Sequence, residues 1–446
     1  MTASLNLNYV HSRSLGYGRL GCELDTALRA KGVTVYDGVD SPDPRDVAAQ
    51  RVGERTYGQA ETVCWVSTPS HARGWWKGQR PVLFSMFESM RLPESFRANL
   101  HNFDTVIVPS PQNVELFGRY HPNVKLATLG VDPEAWHYVP RQMPGTTFNF
   151  LIGGSGPRKG TDLAHKAFRR VFPTGSWGDG PIPTITFKSP RNEPYYGDRV
   201  QVIGGKLPAD EEVALYEQAH CYLQPSRGEG FGLQPLQAMA QGCPTILTDA
   251  HGHESFAHLG HGISATPAEA GYFLFGDAGD WWEPSLDELC EQMRFVYDNY
   301  EACVLKAKAA ADVVAREFTW ANCADHFLTA LGGIDTLRPF VGTDEWVKPD
   351  EQLFTVMVNR PWRCDIAGTC FYFEPGMTYW QTADVKRVLF EAEVLDPACI
   401  SEDSGLLPVQ IDDLERYKAE RSWCPTCDQR LGSGEHRSTQ FMAADA

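Results

Sequence analysis

Residues 226–255 read SRGEGFGLQPLQAMAQGCPTILTDAHGHES. The run follows an apolar stretch, CYLQP (221–225), and contains a second, PTILTD (244–249). Both have the length and flanks of buried parallel strands. Between them Leu233, Leu236 and Ala240 keep helical spacing, and Gly242 and Pro244 close the helix. The order is strand, glycine-rich loop, helix, strand. A loop such as Gly228-Glu229-Gly230-Phe231-Gly232 at the start of a helix has two physical uses. Three positions without side chains let the backbone approach a ligand closely. The free amides of the helix N-terminus favour anionic oxygens, such as those of a diphosphate. Glu229 then hangs a carboxylate over whatever is attached to that phosphate. A carboxylate is a poor phosphate ligand but a good acceptor for sugar hydroxyls.

The run GEGFGLQPLQAMAQGCPTI resembles the signature of the retaining, family-four glycosyltransferases of GT-B architecture. In that family a Glu that contacts the transferred sugar is followed eight positions later by a Glu that contacts the nucleotide ribose. Glu229 stands at the first position and Gln237 at the second; the amide can still bond a ribose diol. The resemblance covers about residues 1–333. It implies an α/β fold of two Rossmann-like domains facing a cleft, and a UDP- or GDP-sugar donor. It also implies retention of configuration, with no catalytic divalent metal. No Asp-x-Asp occurs in the chain, which fits the last point. Donor contacts are implied for Gly18, Gly230, Phe231, Gly232, Leu233, Gln237 and Glu254.

The chain has 446 residues, room for two or three domains, and a formal net charge of −17. That charge opposes broad attraction to nucleic acid or anionic membranes. No apolar run approaches the roughly 18 residues of a membrane helix, and MTASLNLNYVHSRS has no signal-like core, so a cytoplasmic protein without membrane insertion is expected. The 12 cysteines, mostly in apolar surroundings, suit reduced thiols.

The first half (1–140) alternates strands at 5–10, 34–38, 61–67, 81–85 and 104–110 with helices, which predicts a parallel sheet covered on both faces. Gly16-Tyr17-Gly18-Arg19 reads as a loop between the first strand and a helix carrying Leu20, Leu24 and Leu28. By resemblance this loop faces the donor phosphates and the acceptor, with Tyr17 and Glu88 on the acceptor side and His71 toward the donor sugar. Ser110 and Pro111 start a helix. A linker near 137–147 leads to a second alternating series (141–335). There the strand 148–155 is followed by GPRKG and a helix with Leu163, Ala164, Ala167, Phe168, Val171 and Phe172 on one stripe. Arg158 and Lys159 thus sit at a strand-to-helix turn, where two cations backed by helix amides can neutralise a diphosphate leaving group. The resemblance assigns them that role with Glu229 and His71 in the catalytic set. A second Arg usual in the family is replaced by the segment Gly153-Gly154-Ser155. Lys188 ends a further strand near the cleft, and Pro284 reads as a helix start. Phe318-Thr319-Trp320 resembles the family's last segment, which crosses back onto the first domain.

The remainder differs. Residues 350–400 read as a small β-rich unit, with a hairpin around Pro375-Gly376 in CFYFEPGMTYW and a short helix at 384–394. In the tail (401–446), Cys424-Pro-Thr-Cys427 has the spacing of half a zinc ribbon, and Cys364, Cys370, Cys399 and His436 are further candidate ligands for a structural zinc. Residues after Gly432 read as disordered. The expected activity is sugar transfer to an acceptor hydroxyl. A macromolecular acceptor is expected, protein or glycan before DNA, although the family includes bacteriophage enzymes that glycosylate hydroxylated DNA bases. A nucleotide-sugar epimerase, a phosphorylase-like enzyme, and a non-catalytic sugar-binding protein whose decayed site is marked by Gln237 are the rival readings.

Overall fold

The computed structural model describes residues 3–10, 16–39 and 59–342, apart from 70, 71, 73, 190–194, 196, 206 and 271–278, together with short stretches between 345 and 430. The apolar runs become strands, buried in the middle of each sheet and more exposed at its edges. In the first half these are β1 (Ser4–Tyr9), β2 (Thr34–Val39), β3 (Thr62–Val66), β4 (Arg80–Phe84), β5 (Thr105–Val108) and β6 (Val124–Leu126). They form one parallel sheet in the order β2-β1-β3-β4-β5-β6. Its helices are α1 (Gly16–Ala30), α2 (Glu94–Leu100) and α3 (Pro111–Gly118). Ser110 caps α3 as its sequence predicts, accepting from the Asn113 amide at 3.4 Å.

The second half repeats the plan with β7 (Thr147–Gly153), β8 (Ile182–Lys188), β9 (Val200–Ile203), β10 (Cys221–Gln224), β11 (Thr245–Thr248) and β12 (His261–Ile263). The parallel order is β9-β8-β7-β10-β11-β12. Counted from its own first strand this is 3-2-1-4-5-6, the doubly wound order whose ligand crevice opens where the winding reverses. Here that point lies between the carboxyl ends of β7 and β10. Helices α4 (Thr161–Val171), α5 (Ala209–Glu217) and α6 (Leu233–Ala240) cover the sheet. Leu163, Ala164, Ala167 and Phe168 of α4 are buried, on the stripe their spacing marks. Arg141 of the linker donates to the carbonyls of Tyr216, Glu217 and Ala219, which satisfies the end of α5 and ties the linker to the second domain.

The chain then returns to the first domain. After α7 (Leu286–Asp298) and α8 (Tyr300–Glu317), helix α9 (Trp320–Ala330) packs on α1. The Val131 amide donates to Phe318 O at 2.9 Å, and Phe327 stacks on Phe84 with ring centroids 6.2 Å apart. Residues 331–347 continue along the same domain. The Glu61 amide donates to Arg338 O and the Lys77 amide to Glu345 O, both at 2.8 Å, and Trp346–Val347 pairs with Trp75–Trp76.

Three expectations are corrected. Gly16, Tyr17 and Gly18 are not a loop but the first turn of α1, because burial of Leu20, Leu24 and Leu28 outweighs the weak helix propensity of glycine. Pro284 does not start a helix. It ends a strand, β14 (Asp280–Pro284), paired antiparallel with β13 (Ala265–Glu269), and Ser285 caps α7 by accepting from the Glu288 amide at 3.2 Å. The strands flanking Pro375-Gly376 do not pair with each other. Instead Thr369–Phe373 pairs with Trp362–Ile366, and Tyr379–Gln381 with Phe354–Val356. Of the helix read at 384–394, Leu389 is helical and buried and the Val394 amide donates to its carbonyl at 3.0 Å; the rest of that helix, the tail after Gly432 and the side chains of Cys424 and Cys427 lie outside the described residues.

Gly160 tests how firmly the switch-point turn is set. Its φ is 70°, and a Cβ there would lie 1.9 Å from Pro225 O. Gly160→Ala therefore combines left-handed strain with a backbone collision. A loss of roughly 3 kcal/mol in denaturant unfolding is expected. A loss below about 1 kcal/mol, no more than an ordinary surface substitution causes, would show that Pro225 does not fix the turn.

Candidate active site

The reversal of winding brings two loops together. One follows β7: Gly154 and Gly156 take positive φ, then Pro157–Lys159 makes a single tight turn ended by Gly160. The other follows β10 and carries Arg227, Gly228 and Glu229. They are joined through the backbone, since the Arg227 amide donates to Arg158 O at 2.7 Å, and by the Arg158 guanidinium, which donates to Gly228 O at 2.6 Å. Lys159 Nζ lies 2.7 Å from Glu229 Oε1, and Arg158 Nη1 lies 3.3 Å from Oε2. Gly153 and Gly154, where the resemblance leads one to expect a further Arg, are closely packed. A Cβ at Gly154 would meet the Lys159 stem at 2.7 Å, and one at Gly153 would meet Gln234 Nε2 at 2.6 Å.

The charges of this triad are interdependent. Glu229 is only 6 % exposed. Burial pushes its carboxyl up, but Lys159 and Arg158, with smaller help from His253, outweigh that and hold it at about 2. Lys159 moves the other way from a simple ion pair. Burial, reinforced by repulsion from Arg158, outweighs the attraction of Glu229 and brings it below the ordinary lysine range. Glu88 of the first domain adds its negative charge to both cations.

Arg227 was not singled out by sequence reasoning, although a cation two residues before Glu229 in an otherwise apolar strand exit is a readable signal. It is buried and fully paired. Its guanidinium donates to Asp162 Oδ1 and Oδ2 at 2.8 and 3.0 Å, to Glu283, and to Pro157 O. It therefore clamps α4, the Pro157 turn and β14 around the triad. Beneath the loop, the Gly252 amide donates to Glu229 O at 2.9 Å. His251 and His253 flank it, fully buried, and burial lowers both imidazoles, that of His253 to about 4. His251 also adopts a positive φ of 49°.

Helix α6 opens at Gly232 (φ 105°) with no side-chain cap, so its amino end keeps free N–H groups beside the triad. Leu233 is half-buried there. Gln237, one turn on, is buried and its Oε1 has no hydrogen-bond partner. Phe231 is core, packed on Phe256 with centroids 5.4 Å apart. The close approach that the glycines permit is partly a different one from that expected. A Cβ at Gly228 would lie 1.8 Å from Glu88 O, and one at Gly230 would lie 2.7 Å from Met86 Cβ. These two glycines face the first domain, and Ser110 Oγ donates to Gly230 O across the same boundary at 2.8 Å. Tyr17 braces that contact: its hydroxyl donates to Met86 O at 2.8 Å and accepts from the Met86 amide at 3.1 Å. Gly18 is buried in α1. Glu254 is exposed on the 3-10 turn His251–Ser255, which packs against α3. Lys188 is turned toward Gly205 O, to which it donates. His71 lies outside the described residues. Among the described residues, no group of three His, Cys, Asp or Glu side chains is placed to hold a metal ion.

This arrangement offers two cations and a bare helix end for an anion, beside a carboxylate that can only accept hydrogen bonds. The fold that carries it is GT-B. Sucrose-phosphate synthase from Thermosynechococcus elongatus superposes with a TM-score of 0.54 at 16 % identity, covering 73 % of this chain and 97 % of that one. Anabaena HepE, solved in complex with UDP and glucose, gives 0.50 at 12 % identity, covering 74 % and 99 %. Residues 112–274 match the family model described as Glycosyl transferases group 1. The curated protein named "Putative glycosyltransferase 41", from Sulfolobus islandicus filamentous virus (isolate Iceland/Hveragerdi), is 30 % identical over 112 residues. That match takes in 24 % of this chain, which thus spans about a third (33 %) of the relative's length. No helix among the described residues is long and apolar enough to cross a membrane.

Proposed function

We propose that the protein transfers a sugar from a UDP- or GDP-sugar to a hydroxyl of an acceptor, with retention of configuration. The observation that carries this reading is the Lys159–Glu229–Arg158 triad at the winding reversal, its carboxylate buried and its cations partly so, beside the uncapped start of α6. The diphosphate takes the two cations and the amides near Gly232 and Leu233, which stabilise the charge that grows as the nucleoside diphosphate leaves. Glu229 then turns its full acceptor capacity to the sugar hydroxyls. The unpartnered Oε1 of buried Gln237 supplies an acceptor for a ribose hydroxyl. The acceptor attacks from the face the phosphate leaves, and the phosphate oxygen takes its proton, so no protein base is needed. Glu88 and the Tyr17-braced Met86 segment form the acceptor side. The acceptor is taken as macromolecular, protein or glycan before DNA, since a net charge of −17 opposes attraction to nucleic acid.

Thermal unfolding with UDP-glucose, GDP-mannose and the free diphosphates checks this. A ligand at 100 times its Kd stabilises the native protein by about 2.7 kcal/mol, a shift of several degrees. At least one nucleotide-sugar is expected to give it, and Lys159→Ala is expected to abolish it. No shift with any member of the panel would sink the proposal.

A further inference from the structure

Lys159 and Arg158 are not the only groups on Glu229. Gln224, the last residue of β10, is 0 % exposed, and its Nε2 donates to Glu229 Oε1 at 3.4 Å. Its Oε1 accepts from the Tyr222 hydroxyl at 3.0 Å. The amide orientation follows from chemistry: an ionised carboxylate only accepts, so the nitrogen must face Glu229 and the oxygen the phenol. Tyr222 and Gln224 are two residues apart on one strand and so project from the same face. Tyr222 is itself immobilised. It is fully buried, its ring is stacked on Tyr216 with centroids 5.2 Å apart, and its hydroxyl lies where Gly153 leaves room.

We propose that Gln224, oriented by Tyr222, is a positioning residue for Glu229. The inference rests on the glycosyl-transfer reading and adds what that reading leaves open. A bound diphosphate draws Lys159 and Arg158 toward itself, removing the two contacts that fix the Glu229 carboxylate in the free protein. The Gln224 amide is neutral, buried and tied to Tyr222, so it cannot follow. It keeps Oε1 in place at the step when the carboxylate must be aimed at the sugar.

The test is hydrolysis of UDP-glucose and of GDP-mannose, with water in place of the acceptor hydroxyl taking the sugar and UDP or GDP released, across pH. Gln224→Met keeps the volume and removes the donor. Its kcat is expected to fall about tenfold or more, with KM for the donor within about twofold, because the interaction matters after binding. Tyr222→Phe removes one oxygen, frees the amide to turn, and is expected to give a smaller fall in the same direction. It carries the test if Gln224→Met does not fold. Gln224→Glu sets a second carboxylate against Glu229, whose carboxyl otherwise sits at about 2. Like charge raises it, so the variant is expected to gain an acid limb, losing activity as pH falls through the raised value, where the wild type stays flat. Wild-type kcat in folded Gln224→Met or Tyr222→Phe, or a Gln224→Glu profile matching the wild type, would overturn the inference alone. Failure of the wild type to turn over either donor would overturn the glycosyl-transfer reading and the inference with it.

Discussion

Glu229→Gln is expected to lower turnover by about 10²–10³-fold while binding free UDP more tightly than the wild type does. The two effects have opposite signs because Glu229 serves opposite ends of the ligand. In the free protein its carboxylate occupies Lys159 at 2.7 Å and Arg158 at 3.3 Å, so a diphosphate must displace it to reach them. The amide leaves both cations, partly buried, without their anion, a costly state that an incoming phosphate relieves. A gain of about 1 kcal/mol in UDP affinity, roughly fivefold, is a modest share of that relief. Turnover falls because an amide is a weaker acceptor for the sugar hydroxyls. The pH profile changes as well. Lys159 already lies below the ordinary lysine range, so its charge is present at low pH and lost as pH rises. Without Glu229 only the smaller pull of Glu88 offsets its burial and the repulsion from Arg158, and the alkaline limb of nucleotide binding moves to lower pH. Calorimetric titration with UDP and donor turnover together decide the matter. UDP affinity falling in step with turnover would show that Glu229 supports the phosphate site rather than competing for it.

The legibility of this site in the sequence followed the kind of physics involved. Strands such as β7 and β10 were readable because parallel strands buried on both faces leave near-continuous apolar runs. Glu229, Arg158 and Lys159 were readable because glycine spacing and a strand-to-helix turn mark them locally. What they do to one another was not. Arg158 and Glu229 are 71 residues apart, and only the winding reversal makes them a pair. Arg227 escaped notice for the same reason, since its partners Asp162 and Glu283 lie 65 and 56 residues away. The hairpin of β13 with β14 was missed because ATPAE is polar and mostly exposed, with no burial pattern to reveal a strand. Gly16 and Gly18 misled in the opposite direction: glycine announces a loop, and tertiary burial of α1 overruled it. In the 226–255 run, glycine spacing predicted a close backbone approach. It could not say that Gly228 and Gly230 make that approach to the other domain.

That contact gives the second large effect. Gly228→Ala is expected to cut kcat/KM by about 10²-fold. Gly228 is not among the residues with positive φ, so alanine is not strained by its own backbone. The added methyl instead meets Glu88 O at 1.8 Å, a carbonyl on the chain leaving β4, which cannot be relieved by a rotamer change. The relief left is separation of the domains, which also stretches the Met90 amide bond to Asp280 O (2.9 Å) and the Ser110 bond to Gly230 O. One core cluster is shared between the domains, joining Leu5, Leu20 and Phe84 to Leu151, Tyr222 and Leu236, so separation is also expected to lower the unfolding temperature. Gly230→Ala supplies the control. Its methyl would meet the Met86 side chain, at 2.7 Å from Cβ and Cγ and 2.9 Å from Sδ, and trimming that side chain opens room. Gly230→Ala with Met86→Gly, which removes Cβ as well as Cγ and Sδ, should therefore recover much of the lost rate, whereas Gly228→Ala with Glu88→Gly should recover none, because the obstacle is backbone. Small-angle scattering should show a larger radius of gyration for Gly228→Ala than for the wild type in the presence of UDP. An unchanged radius with full activity would mean that the glycine loop and the Met86–Glu88 segment do not meet during turnover.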